Sequence, residues 1–285
     1  MQNKVSVCVI TLNEEERIRD CLDSVRWADE IVVLDSFSSD QTVPVCREYT
    51  DQVVQAKLPS TAARRTAAME CATSEWILAL DADERVPPAL AEEIVTKLAS
   101  ADLDQFAGFR IPRTTFCLGR WIRHGSWYPN YQLRLTRKTQ TQFIDNIPHD
   151  VVEVDGRVGR LRQPLEHRAP DTLQDQITKG GQYSTIFAQA RHAEGGRAGG
   201  ITVLSHTVCR FLRNYFLRLG FLDGVPGLII ALLGGFHAFQ KYARLWELNN
   251  QQARAAKQGA RSGTHVDSPP LNERNAVAHP RTRAS

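Results

Sequence analysis

The sequence predicts an α/β protein: an open, mainly parallel sheet flanked by helices, followed by a basic, apolar helical extension. Three observations carry this. Apolar, β-branched runs alternate with helical patterns through roughly the first hundred residues. Two of those runs end abruptly on an aspartate, Asp35 and Asp81. The charge also changes sign along the chain: residues 1–156 hold 17 Lys and Arg against 24 Asp and Glu, and residues 157–285 hold 18 against 8. With 285 residues, 42% of them hydrophobic, the chain can build one large domain with an appendage.

The elements follow in order. Val5–Ile10 is apolar and β-branched, as a strand covered on both faces should be, and it is too short for the apolar core of a signal peptide. Glu14–Val25 places Ile18, Cys21, Leu22 and Val25 at helical spacing. Glu30–Leu34 is a second strand, 42–49 a helix and 52–55 a short strand. Ala-rich 61–72 is a third helix, Trp76–Leu80 a strand, and Pro87-Pro88 opens a helix reaching Ala99. Beyond 105 the pattern is irregular, with short strands expected at 108–111, 132–135 and 151–154. The expected organisation is a nucleotide-binding half over 1–105, a second half of the same domain over 106–200, a helical membrane-associating region over 201–248 and a disordered polar tail over 249–285. Six cysteines without a C-x-x-C pair read as reduced thiols of a cytoplasmic protein.

In an open α/β sheet ligands bind beyond the carboxyl ends of the strands. Those ends read Thr11-Leu12-Asn13-Glu14, Asp35-Ser36-Phe37-Ser38-Ser39-Asp40 and Asp81-Ala82-Asp83-Glu84. Neither G-x-G-x-x-G nor G-x-x-x-x-G-K-[ST] is present, so a bound diphosphate needs another neutralising group. A divalent cation, Mg or Mn, held by carboxylates and completed by phosphate oxygens would serve. Asp81 and Asp83, two residues apart in an extended segment, would point to one side. Among 17 aspartates such a pair also arises by chance, as Asp102-Leu103-Asp104 does after a helix, where it reads as a solvated turn. Helix capping is the alternative role for Asp81 and Asp83, and a capping turn that for Asp35. Arg64 and Arg65 either face a diphosphate or lie on a solvated helix face.

Several long segments, in order, sharpen this. VSVCVITLNEEERI, EIVVLDSFSSDQT and WILALDADERV resemble the inverting family 2 glycosyltransferases of the GT-A fold. GRWIRHGSWYPNYQLRL, VEVDGRVGRL, FLRLGFLDGVPGL and KYARLWEL narrow the resemblance to bacterial lipooligosaccharide and lipopolysaccharide-core β-1,4-glucosyltransferases, over roughly residues 4–248. The resemblance implies a donor site of Thr11, Asn13, Glu14, Asp35 at the base or ribose, Arg65 and Arg134, with Asp81 and Asp83 at metal and diphosphate. Tyr131 and Gln132 would stand near donor or acceptor. His149-Asp150 stands where the family often has His-Glu, which makes Asp150 the candidate general base and Asp145 its rival. Phe37 stands where the family usually has Gly, and Thr66 where it has Asn.

The carboxyl-terminal half is basic and apolar. Val208, Phe211, Leu212, Tyr215, Phe216, Leu219 and Leu222 share one face of a helix over 207–222, with Arg210, Arg213 and Arg218 on the other. Residues 224–240 carry no Asp, Glu, Lys or Arg and are interrupted by Gly224, Pro226, Gly227, Gly234 and Gly235. This predicts an interfacial or re-entrant attachment rather than a span or a soluble core. His149, His167, His206 and His237 read as structural histidines rather than metal ligands, with His149, beside the candidate base, the exception to test. No nucleic-acid-binding motif accompanies the basic charge. The expected activity is inverting transfer of a hexose, glucose from UDP-glucose, to an inner-core heptose of lipopolysaccharide, by an enzyme attached to the cytoplasmic face of the inner membrane. The lipid-linked oligosaccharide acceptor would sit at that surface. The alternatives are the same chemistry on a polyprenyl phosphate or another glycan, and, from a different class, a non-catalytic membrane-bound nucleotide-sugar binder.

Overall fold

The computed structural model describes residues 3–145, 151–168 and 172–262, with side chains to residue 252. His149 and Asp150 lie outside the described residues, as does 263–285. The strands are β1 (Val5–Thr11), β2 (Glu30–Asp35), β3 (Val53–Gln55), β4 (Trp76–Asp81), β5 (Glu84–Arg85), β6 (Gly108–Cys117), β7 (Arg120–Ile122), β8 (Asn130–Arg137), β9 (Thr141–Ile144), β10 (Val151–Val154), β11 (Val158–Arg160) and β12 (Leu165–Arg168). The helices are α1 (Ile18–Asp23), α2 (Thr42–Cys46), α3 (Thr61–Cys71), α4 (Pro88–Leu98), α5 (Leu173–Ala193), α6 (Gly200–Leu212) and α7 (Gly224–Ser262).

Ten strands form one sheet in the order β3-β2-β1-β4-β8-β6-β12-β5, with β7 and β11 joined to β6; β9 and β10 make a separate hairpin. The pairings among β1, β2, β3 and β4 are parallel, and β8 then enters antiparallel between β4 and β6. The sheet is thus parallel where the βα pattern is regular and mixed beyond it. All seven residues of β1 are buried, as expected for a strand with helices on both faces. Val9, Leu22, Val33, Trp76, Leu80, Ile94 and Phe109 belong to one core, and each fully buried aliphatic or aromatic side chain there contributes roughly 1.5–3 kcal/mol. None of the six cysteines forms a disulfide; burial pushes Cys8 and Cys46 up to about 12.

Three local expectations are revised. The first helix is only Ile18–Asp23, because Asn13 adopts a left-handed φ of 54° and the Glu14 backbone N–H donates to Thr42 Oγ1 at 2.8 Å, which turns the chain before the helix begins. The amphipathic pattern over 207–222 does not make one helix. α6 ends at Leu212, a π-type turn covers Arg213–Leu217, Leu219 is left-handed, and a 3-10 turn (Gly220–Asp223) leads into α7. Glycine permits this reversal: a Cβ on Gly227 would lie 1.9 Å from the Gly220 carbonyl oxygen. Finally, α7 runs past the compositional boundary at Asn249 to Ser262, since Gln, Ala, Arg and Lys lack a core signal yet favour helix.

α7 packs against both α5 and α6. The helical stretch Gly220–Gln252, which joins the preceding 3-10 turn to most of α7, is long and apolar enough to cross a membrane, and 28% of its apolar window is buried. The extension is joined to the sheet at Asp223. This buried carboxylate accepts from the backbone N–H groups of Arg123 (3.1 Å) and His124 (2.8 Å) and meets His124 Nδ1 at 3.0 Å, while Arg120 Nη1 donates to the Asp223 carbonyl at 2.9 Å.

Candidate active site

Strand register brings the expected site residues together. Thr11 pairs with Asp35 and Ile10 with Asp81, so the carboxyl ends of β1, β2 and β4 lie abreast. The loops that follow β1 and β2 brace each other. Asn13 N–H donates to Ser38 Oγ at 2.8 Å, and Ser39 N–H donates to Asn13 Oδ1 at 2.8 Å. Asp35 is fully buried and accepts from Ser38 N–H and Gln55 Nε2, both at 2.9 Å, and from the Ser38 hydroxyl. In this conformation Asp35 shapes the loop, and Ser38 is the group it presents beyond the strand end. Thr11 Oγ1 is buried without a hydrogen-bond partner among the described residues. Phe37 holds φ at 63° and is 56% exposed, which explains why glycine suits that position.

Asp81 ends β4 and is clamped by two arginines. Arg65 Nη2 donates to Oδ1 at 2.7 Å and Arg134 Nη2 to Oδ2 at 2.6 Å. Burial alone would raise the Asp81 carboxyl; Arg134 and Arg65 outweigh it and hold the group well below the usual carboxylate range. The same Arg134 nitrogen reaches Glu84 Oε1 at 2.6 Å, and Arg113 Nη1 meets that oxygen at 3.2 Å. Glu84 is fully buried, and its Oε2 accepts the Asp81 backbone N–H at 3.0 Å. Glu84 therefore ties strand end, turn and arginines into one network. Arg65, Asp81, Arg110, Arg113, Tyr131 and Arg134 line a cleft of about 530 Å³, with Val151 and Val152 on its rim.

Asp83 does not share a side with Asp81. The chain turns at Ala82-Asp83, and Asp83 Oδ2 meets His167 Nε2 at 3.2 Å across β12. Asp83 Oδ1 is buried with no hydrogen-bond partner among the described residues. A divalent cation would fit this pair: one carboxylate oxygen has no partner among the described residues, an imidazole is beside the other, and diphosphate oxygens and water would supply hard ligands for the rest. Among the described residues no group of three or more His, Cys, Asp or Glu could hold a metal, so the protein would supply few of the ligands. Both Asp81 oxygens are already ion-paired, which separates its part from that of Asp83.

Of the remaining expected residues, Glu14 pairs with Arg17 at 2.7 Å, and burial raises its carboxyl against that pairing, with the charges of Asp83 and Asp40 adding to the rise. Asp145 is exposed and accepts from Ser60 Oγ, the N-cap of α3, at 2.9 Å. Asp150 lies outside the described residues. Arg113 was not singled out by the sequence, Glu84 was read only as part of a strand end, and His167 was read as a structural histidine rather than as the neighbour of Asp83 that it is. Glu84 follows Asp83 directly, but nothing in a run of acids says which is buried. His167 reaches Asp83 through the pairing of β12 with β5, a long-range contact without a local signature. Asp102-Leu103-Asp104 behaves as its position after a helix implied: Asp102 pairs with Lys97 and Asp104 is 95% exposed.

The model of the family "Glycosyl transferase family 2" matches residues 6–154. The chain is 28% identical over 257 residues, 88% of its length and 94% of the relative's, to the lipopolysaccharide core biosynthesis glycosyltransferase LpsC of Rhizobium meliloti. It is 27% identical over 262 residues, 88% and 89% of the two lengths, to an uncharacterized glycosyltransferase of Rickettsia bellii. Among solved structures it is similar to S. aureus TarS 1-349 in complex with UDP, at 16% identity and a TM-score of 0.46 over 94% of each chain. The match to the family model covers more than half of the chain and every strand that carries Asp35, Asp81 and Arg134; the protein belongs to glycosyl transferase family 2.

Proposed function

We propose that this glycosyltransferase moves glucose from UDP-glucose to a heptose of the lipopolysaccharide inner core, with inversion at the anomeric carbon. The observation that carries this is the arginine-clamped Asp81 at the head of a cleft of about 530 Å³, next to the Asp83–His167 pair. A leaving nucleoside diphosphate needs positive charge placed where its own charge develops. Arg65, Arg113 and Arg134 line the cleft already oriented by Asp81 and Glu84, so little reorganisation is needed on binding. Asp83 and His167 would hold a Mg or Mn ion, which supplies Lewis-acid stabilisation of the leaving phosphates. Thr11, Asn13 and Glu14, with Asp35 behind Ser38, would frame the nucleoside. Asp150 is the proposed base that takes the acceptor proton, and a single displacement with one base inverts the centre. The LpsC relative, named for lipopolysaccharide core biosynthesis, supports the choice of acceptor class.

The same reading places the enzyme on the cytoplasmic face of the inner membrane, through its helical extension. Ile201, Leu204, Phe216, Leu217 and Val225 are exposed there, as few soluble surfaces allow. The test is a donor screen of UDP-glucose, UDP-galactose and GDP-mannose with Mg²⁺ or Mn²⁺, read as nucleoside diphosphate release with and without a heptose-terminated core acceptor. Acceptor-stimulated release from UDP-glucose is expected. Release stimulated instead by a polyprenyl phosphate, or from another donor alone, would overturn the assignment.

A further inference from the structure

A second cavity, of about 470 Å³, lies among α5, α6 and α7, away from the arginine cleft. Phe187, Ile230 and Leu233 make apolar wall; Arg210, His237 and Lys241 bring three nitrogen-bearing side chains to the same space. None of its lining residues is an Asp or Glu, and no carboxylate among the described residues pairs with Arg210 or Lys241. His237 sits deep because residue 180 is glycine: a Cβ there would lie 1.9 Å from Nε2. That Nε2 is buried and makes no hydrogen bond of normal geometry among the described residues, although a backbone group of Gln176 lies beside the ring and opposes the effect of burial. Lys241 Nζ lies 4.9 Å from the centre of the Phe187 ring. Burial lowers the Lys241 ammonium and the His237 imidazole below their ordinary values, and the nearby Arg210 charge pushes the same way.

Converging cations that repel one another in a half-buried, carboxylate-free space are costly unless an anion completes them. The anion must also suit apolar walls. Free phosphate would leave Phe187, Ile230 and Leu233 against water; a fatty carboxylate would leave donors of the fork-shaped Arg210 and of Lys241 unused. We propose that this cavity is a binding site for the phosphate of a membrane phospholipid, held by Arg210 and Lys241 with His237 Nε2 as the third contact, the lipid's apolar portion lying on the cavity wall. The inference rests on the proposed membrane attachment only for the source of the lipid.

The test uses the full chain and dihexanoyl phosphatidic acid below its micelle concentration, titrated by calorimetry. Wild type binds it at least about tenfold more tightly than inorganic phosphate or hexanoate, and Arg210→Gln with Lys241→Gln weakens it by about tenfold or more, the loss expected for charge-assisted hydrogen bonds. Lys241→Arg alone retains binding, and donor turnover with a soluble acceptor is unchanged in every variant. Equal binding by the double variant, or inorganic phosphate or hexanoate matching the lipid, overturns the proposal. Flotation with vesicles containing phosphatidylglycerol is read separately: a wild type that does not float removes the membrane attachment, while the short-chain titration still decides the cavity.

Discussion

β1 and α6 solve opposite problems with similar residues. All seven residues of β1 are buried, whereas none of the thirteen residues of α6 is, although both are rich in aliphatic side chains. The catalytic half spends its apolar side chains on its own core, and its few buried charged groups are ion-paired or, like Asp35, hydrogen-bonded. The extension turns Ile201 (87% exposed), Leu204, Val208 and Leu212 outward. Apolar surface of that extent is stable in water only at a cost, so the extension is built for contact with something else. Activity should therefore be separable: chemistry belongs to the first region and location to the second.

Asp83→Ala gives the largest expected effect on this division. It should cut metal-dependent turnover by at least about a thousandfold while the circular dichroism spectrum and vesicle binding are unchanged. Retained turnover would remove Asp83 from the proposed metal site. Glu84→Gln comes next and acts through the fold. It removes one of the two carboxylates that meet Arg134, which keeps Asp81 Oδ2 at 2.6 Å, and so loosens a buried network at a cost of about 1–3 kcal/mol in denaturant unfolding. Asp102→Asn, in the solvated aspartate pair, should leave the midpoint where it is. On the other side of the comparison, Ile201→Ser with Leu204→Ser should weaken binding to anionic vesicles by about tenfold. Nucleoside diphosphate release with a soluble acceptor should stay constant, and a parallel loss would mean that the two regions are not separable. The smallest effect is at Phe37: Phe37→Gly relieves a left-handed non-glycine residue and should stabilise by up to about 1 kcal/mol in thermal melts.

The regions also differ in how far they could be read from sequence. Val5–Ile10, EIVVL and WILAL combine apolar pattern and length, the last two with a terminal aspartate, and they fold where that pattern places them. That Asp83 rather than Asp81 would carry the metal could be expected from the sequence, but the geometry that separates them was not legible, because it depends on a turn at Ala82 and on side chains from β8 and β12 that only the sheet brings near. Glu84 looked like one more acid in a polar turn; its burial follows from Arg113 and Arg134 arriving from β6 and β8. In the extension the amphipathic period was legible and its interruption was not. The reversal at Leu219 depends on two glycines seven residues apart that touch only after the chain has folded back.

Asp223 bears on aim. On the proposed function, with an acceptor anchored in a plane, the enzyme would have to keep its cleft at a set height and bearing above that plane. Four hydrogen bonds join this one residue to Arg120, Arg123 and His124 on the edge of the sheet, and they leave the helices little freedom to swing. The joint works as a bracket: whatever surface α6 and α7 rest on, it sets the direction in which the cleft faces.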